Sequence, residues 1–370
     1  MQRRALLASL AAAAAAAAGA ACQGPALSPA GDGATGPAGA LLRPDDAAQP
    51  LQRIALGSCT DQTKPQPIWD AVLAAQPGLL VFGGDNVYAS RQPWSRAALD
   101  TAYATQARVP GFARLRQTVP HLAIWDDHDY GLNDGGVEFG HKPSSKDAFL
   151  DFWQVPAGDE RREREGLYTA QRFGPPGRRV QVIGLDGRWF RSALKPTDER
   201  GAVGKERFVP DPDPSKTMLG AAQWAWLDAR LHDDADLRLI VSGIQVLAEG
   251  HGYERWGNLP TERQRLFDLI DRSRARGVVF LSGDRHIGAV YRDTAGTPYP
   301  LHELTSSGIS HPWADAHEPG PNRLGALITV PHFGLVDIDW AQRSLLLALH
   351  GGDGQRLQAH RVALDDLQPR

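Results

Sequence analysis

LLVFGGDNVY at residues 79–88 is an apolar, β-prone run that ends abruptly in two glycines, an aspartate and a tyrosine. A short apolar run bounded by turn residues reads as a buried strand. Gly83-Gly84 lets the backbone turn sharply after it, leaving Asp85 and then Tyr88 to project from the strand end. The same grammar recurs three times: GSCTDQ (57–62) follows Ile54–Leu56, IWDDHDYGLND (124–134) closes a run that starts at Leu122, and FLSGDRHIG (280–288) continues Val278–Leu281. In open α/β sheets chemistry collects just past the carboxyl ends of strands, so the four segments predict one shared crevice.

Working outward, further strand-like runs lie at Val180–Leu185, Leu239–Val241 with Ile244, Leu335–Ile338 and Leu345–Leu349. Helical stretches are predicted between them at Pro67–Ala75, Trp94–Ala107, Ser145–Trp153, Ala221–His232 and Thr261–Arg276, the last with Thr261 as N-cap supported by Glu262 and Gln264. This alternation predicts an α/β fold, with residues 51–370 as one large domain. Residues 195–220 carry too much Pro, Gly and charge for a core element and read as an excursion loop that shapes a site rim.

The 370-residue chain has a formal net charge of -3 and a pI near 6.5, which excludes the basic footprint of a dedicated nucleic-acid binder. Residues 1–22, MQRRALLASLAAAAAAAAGAAC, read as an export signal peptide with an apolar run too short for a durable membrane span. Arg3-Arg4 before Leu6 and Leu7 resembles a twin-arginine signal, with ordinary Sec export as the alternative. Cys22, after small residues, resembles a lipid-acylation site in which Gly19 replaces the preferred leucine. Residues 23–50 are rich in Gly, Pro and Ala and read as a flexible linker. Cys59 is the one interior cysteine left, so no structural disulfide is expected in the folded part.

The residue types at the four strand ends point to metal chemistry. Asp126, Asp127, Asp129 and Asp134 crowd around His128, and carboxylates packed this closely repel unless a cation or basic groups compensate them. Asp85 and Tyr88 place two oxygens within reach of one ion, Asp284 and His286 have a spacing that suits a metal pair, and the thiolate of Cys59 would add a soft ligand. Other readings remain open on the residues alone: a turn cap at Asp85, a salt-bridged surface turn at 284–286, and a simply buried Cys59. So do two whole-protein alternatives, a glycosidase using Asp127 and Asp129 beside stacking aromatics and a surface lipoprotein whose carboxylates hold calcium without catalysis. No Gly-x-Ser-x-Gly elbow marks a serine hydrolase.

Together the GSC, GDNVY, WDDHDYG and SGDRH segments resemble the alkaline phosphatase D (PhoD-like) family of metallophosphoesterases, from about residue 53 to beyond 310. VIGLDGRWFRSAL (182–194), MLGAAQWAWL (218–227) and SGIQVLAE (242–249) support it. The resemblance implies a calcineurin-like four-layer αββα sandwich with a metal pair at its loop-rich edge. It implies ferric iron held by Cys59, Asp85, Tyr88 and His286, with Asp85 bridging to a calcium site completed by Asp127, Asp284 and, more remotely, Asn133. His128 would stabilise or protonate the leaving oxygen and Arg188 would clamp phosphate, a structural ion pair being the alternative for Arg188. The expected function is an exported phosphatase, a monomer of the periplasm or cell envelope, acting on a small-molecule or polymeric phosphate ester.

Overall fold

In a computed structural model the protein is described over residues 48–369; the predicted signal peptide, Cys22 and nearly all of the linker lie outside the described residues. From its amino end the chain forms β1 (Arg53–Gly57), α1 (Ile68–Ala74), β2 (Leu79–Gly83), α2 (Arg96–Ala107), α3 (Pro110–Thr118), β3 (His121–Ile124) and the single-turn α4 (Asp127–Tyr130). Next come α5 (Lys142–Phe152), β4 (Thr169–Phe173), β5 (Val180–Gly184), α6 (Gly220–Leu231), β6 (Leu237–Ser242), α7 (Pro260–Arg272) and β7 (Val278–Ser282). The chain ends in β8 (Gly288–Asp293), β9 (Leu301–Ser306), β10 (Arg323–Ile328), β11 (His332–Asp339), β12 (Ser344–Gly351) and β13 (Arg356–Ala363).

Two mixed sheets result, with strand orders β13-β12-β11-β1-β2-β3 and β10-β8-β9-β7-β6-β5-β4. The period of two along a strand decides what each face meets. Ile54, Leu56, Leu79, Val81, Leu122 and Ile124 point into the core shared with the second sheet. Their neighbours Ala55, Leu80, Phe82 and Ala123 point the other way, into a separate core with Trp69 of α1, Tyr103 of α2, Phe112 of α3 and Phe149 of α5. Trp224 and Leu227 of α6 and Leu266 and Ile270 of α7 cover the second sheet. The layers therefore run helices, sheet, sheet, helices. Strands buried on both faces explain why the central runs are apolar throughout rather than alternating.

The predicted helices recur within a few residues at each end, while α3 and α4 were not expected. Thr261 does not cap α7: its hydroxyl donates to the Pro212 carbonyl at 3.2 Å, and the helix starts one residue earlier at Pro260, where a missing N–H costs nothing. Glu262 instead ties α7 to α6, accepting from the Met218 N–H at 2.6 Å and from the Trp224 indole at 2.8 Å. Strands β4, β10 and β13 were missed because they are sheet edges with much of their surface exposed. Strand β9, LHELTS, was missed because polar residues break its apolar run; Glu303 is fully buried there and accepts the N–H groups of Val246 and Leu247.

His332, at the start of β11, is fully buried. Its Nδ1 donates to the Val330 carbonyl at 2.7 Å and its Nε2 accepts the Ser307 N–H at 3.2 Å, so it is held as one neutral tautomer. Burial pushes its pKa down to about 4. The unfolded chain therefore binds the proton first on acidification, and the stability this group contributes, full above about pH 6.5, is lost as the pH falls toward about 4. Urea unfolding across that window should show stability declining with acid in the wild type and a shallower decline in His332→Gln; identical pH slopes in the two would contradict the assignment.

Candidate metal centre

Strands β1, β2, β3 and β7 end at one edge of the double sheet, and the turns that succeed them hold side-chain-bearing residues in a backbone conformation such residues seldom adopt. Nine non-glycine residues among those described have positive φ, and five of them lie here: Cys59 (58°), Asp85 (51°), Asp134 (53°), Asp284 (64°) and His286 (58°). Left-handed backbone at non-glycine residues is uncommon and clusters at functional sites. Gly84, with φ at 97°, makes the turn that aims Asp85; a Cβ there would sit 2.5 Å from the Asp126 Cβ. The loops are pinned to one another, the Thr60 N–H donating to the Asp85 carbonyl at 2.8 Å and the Ile309 N–H to the Ser58 carbonyl at 3.2 Å.

Around Asp85 the side chains divide into two overlapping groups. In the first, the Asp85 Oδ2 lies 3.5 Å from the Cys59 Sγ and 3.4 Å from the Tyr88 hydroxyl, which is in turn 3.1 Å from the His286 Nε2. The potential ligand atoms of Cys59, Asp85 and His286 all fall within 4.8 Å of one another. In the second, the same criterion joins Asp85 to Asp127 and His128, and Asp127 onward to Asp126 and Asp284 and to Asp134 and Glu254. Asp85 is thus common to both groups. Asp284 and His286 do not point together as an extended segment would have it; two left-handed residues flanking Arg285 send Asp284 to the carboxylate group and His286 to the thiol group.

Electrostatically the site is incomplete as protein alone. Burial, reinforced by neighbouring carboxylates, pushes Asp85 and Asp284 well above the usual carboxylate range. Burial likewise raises Asp126 despite Arg188, and raises Asp134 to about 8. Asp127 goes the other way: burial opposes ionisation, yet His128, Arg188 and the Asp134 N–H hold it down to about 2. Burial also pushes the Cys59 thiol up to about 11 and His286 down to about 3. The buried Asp126 Oδ2 and Asp127 Oδ1 have no hydrogen-bond donor. Orphaned buried oxygens beside crowded carboxylates are what a cation would satisfy, and the donor set fits one: thiol, phenol, imidazole and carboxylate on one side, carboxylates on the other.

The other predicted residues divide. His128 borders a cleft of about 260 Å³ shared with Asn133, Asp134, Arg207, Tyr253, Arg285 and Trp313. Its backbone N–H donates to the Asp85 Oδ1 at 3.2 Å, its Nδ1 is 2.7 Å from the Ser90 hydroxyl, and its Nε2 is 4.0 Å from the Asp127 Oδ1. Asn133 lies exposed on the cleft rim. Arg188 is fully buried and does not border the cleft; its guanidinium lies 2.6 Å from Asp126, 2.8 Å from Glu254 and 4.0 Å from Asp284. The cations that do border the cleft are Arg207, from the predicted excursion loop, and Arg285. Asp129, inside α4, is buried and accepts from the N–H groups of Asp126 at 2.7 Å and Asn86 at 3.1 Å, which takes it out of the Asp127 and Asp129 pair that a glycosidase would use.

Sequence reasoning missed Ser90 and Ser307. The Ser307 hydroxyl accepts the His286 N–H at 2.7 Å and lies 3.0 Å from the Cys59 Sγ, bracing both groups. It comes directly after β9, the strand whose polar composition hid it, so no local signal marked it. Ser90, two residues beyond Tyr88, could have been found as a hydroxyl within the same turn.

A double sheet flanked by helices, with acidic and histidine side chains gathered at its strand-end edge, is the calcineurin-like metallophosphoesterase architecture. Residues 54–327 match the PhoD-like phosphatase family, and the chain belongs to it. Among solved structures, "Structure of PhoD" is similar at 15% identity and a TM-score of 0.68, covering 88% of this chain and 72% of that one. Purple acid phosphatase PPD1 from yellow lupin (Lupinus luteus) is similar at 11% identity and a TM-score of 0.55, over 86% of this chain and 54% of that one. So is GAP50, the anchor in the inner membrane complex of Plasmodium, at 12% identity and a TM-score of 0.54, over 87% and 90%. No curated protein sequence matches the chain.

The turn at Gly84 gives a direct test of this geometry. Gly84→Ala places a Cβ against Asp126 in a conformation that alanine resists, and should destabilise the fold by more than ~1 kcal/mol, seen as a lowered Tm. An unchanged Tm would mean that the turn is not as tight as described.

Proposed function

We propose that the chain is an exported metal-dependent phosphatase that hydrolyses phosphate monoesters, diesters or both. The observation that carries the reading is the position of Asp85, whose carboxylate is shared by two groups of ligand-type side chains beneath an open cleft. Membership of the PhoD-like phosphatase family supports it. The leader pattern of residues 1–22, with Arg3-Arg4 and Cys22, supports export and a lipid anchor, and no helix among the described residues is long and apolar enough to cross a membrane.

On this reading Cys59, Asp85, Tyr88 and His286 would hold a ferric-type ion, and Asp85, Asp127 and Asp284 would hold a calcium-type ion, with Asn133 at the rim. Thiolate, phenolate and imidazole favour the former, and an all-carboxylate set favours the latter. When bound, such a metal pair would supply water activation and offset charge on the phosphoryl oxygens. The chain's own residues do the rest. Ser90 holds the Nδ1 side of His128, so Nε2 is the nitrogen turned to the cleft and placed to give a proton to the leaving oxygen. Arg207 and Arg285 put positive charge on the cleft wall where an anionic ester enters.

Elemental analysis of purified variants tests the ligand division: Cys59→Ser should deplete the first ion, Asp284→Asn the second, and Asp85→Asn both, together with all ester hydrolysis. Full activity in Asp85→Asn would overturn the proposal. His128→Ala should keep its metal and lose roughly 10²–10⁴-fold in rate on esters with poor leaving groups, and less on good ones; an equal loss on both would remove the acid role.

A further inference from the structure

One wall of the cleft is aromatic, and it is built on the same segment as two of the proposed ligands. Arg285, between Asp284 and His286, is buried and paired with the Glu318 carboxylate. Its guanidinium lies 4.0 Å over the Tyr253 ring, and that ring meets Trp313 edge to face at a centroid distance of 5.8 Å. Trp313 is fixed from behind as well, its N–H donating to the His286 carbonyl at 2.8 Å and its own carbonyl accepting the Ala316 N–H at 3.1 Å. Yet the side chain itself is left open. Trp313 is 37% exposed, the one aromatic among the large exposed hydrophobic residues described.

An indole anchored through its backbone at a site mouth, with a face open to solvent, is a stacking platform whose ordering cost has been met on folding. The surroundings of the indole indicate its occupant. A lipid chain needs a broad apolar patch, but the exposed chain beyond Trp313 runs Ala314-Asp315. The rest of the lining is polar: Arg207 pairs with Asp134, and the excursion loop is fastened to the Tyr253 segment by the Arg207 and Phe208 N–H groups, which donate to the Gly252 carbonyl at 3.0 and 2.7 Å. A flat group with polar edges suits an aromatic surface set among charged side chains.

We infer that the site selects phosphate esters whose alcohol carries a planar heteroaromatic ring, as nucleoside monophosphates do, and that Trp313 is the specificity-determining residue. The inference rests on the phosphatase reading. The phosphate enters the metal side of the cleft, and the remainder of the ester leads outward over the rim, where the ring stacks on the indole.

The experiment compares adenosine 5′-monophosphate with glycerol phosphate on the full, metal-loaded protein. Trp313→Ala should lower the ratio of the two kcat/KM values by about tenfold, with the loss in KM for the nucleotide. Trp313→Phe should restore most of it. Adenosine, which has no phosphate to hydrolyse, should compete with glycerol phosphate in the wild type and lose that competition in Trp313→Ala. If the wild type hydrolyses both esters and neither the ratio nor the competition changes in the variant, the inference fails while the phosphatase reading stands. If the wild type hydrolyses no phosphate ester, the phosphatase reading fails and takes this one with it.

Discussion

Like charge held away from water is the constraint around which this protein is arranged. Asp85, Asp126, Asp127 and Asp284 converge where strands end, and Asp85, Asp126 and Asp127 are almost wholly buried. Carboxylates in such a place resist ionisation and repel each other. The protein meets part of the cost with Arg188, buried between Asp126 and Glu254, and with Arg191, 2.9 Å from Glu254. It meets another part with backbone donors, including the His128 N–H to Asp85 and the Asp134 N–H to Asp127. Asp126 Oδ2 and Asp127 Oδ1 remain without donors, and they border the place proposed for the metal ions.

The strands that carry the site were the most legible part of the chain. Runs such as LLVFG and VVFLS are buried on both faces, so apolar composition alone marks them, and the glycines after them mark where they stop. The strands that brace the site were not legible, because β9 satisfies its buried Glu303 and Thr305 through contacts with distant residues such as Gln245. Ser307 inherits that silence. Roles within a legible motif were also hidden. In the run Asp126 to Asp129 the first aspartate is partner to Arg188, the second joins the proposed ligands and the third accepts the backbone N–H of Asp126 at the start of a helix turn. Composition shows the charge; it takes the backbone path to divide the work.

Architecture and chemistry separate in this group of proteins. The fold is shared, at similar low identity, with a phosphatase from lupin and with an anchor protein of Plasmodium. The double sheet therefore supplies an edge on which loops can gather without dictating what they do. In this chain the case for catalysis rests on the loops themselves, and on side chains contributed by segments as far apart as Cys59 and His286.

The left-handed residues at that edge have a mechanical side. Because Cys59, Asp85, Asp284 and His286 stand on left-handed backbone, the direction in which each side chain leaves the chain is set by the turns themselves. The strand-end turns are fastened to their neighbours within each sheet by bonds such as Thr60 to Asp85 and His286 to Ser307, and across the gap between sheets by Ile309 to Ser58. Opening the place proposed for the ions therefore requires these turns to move together rather than one at a time.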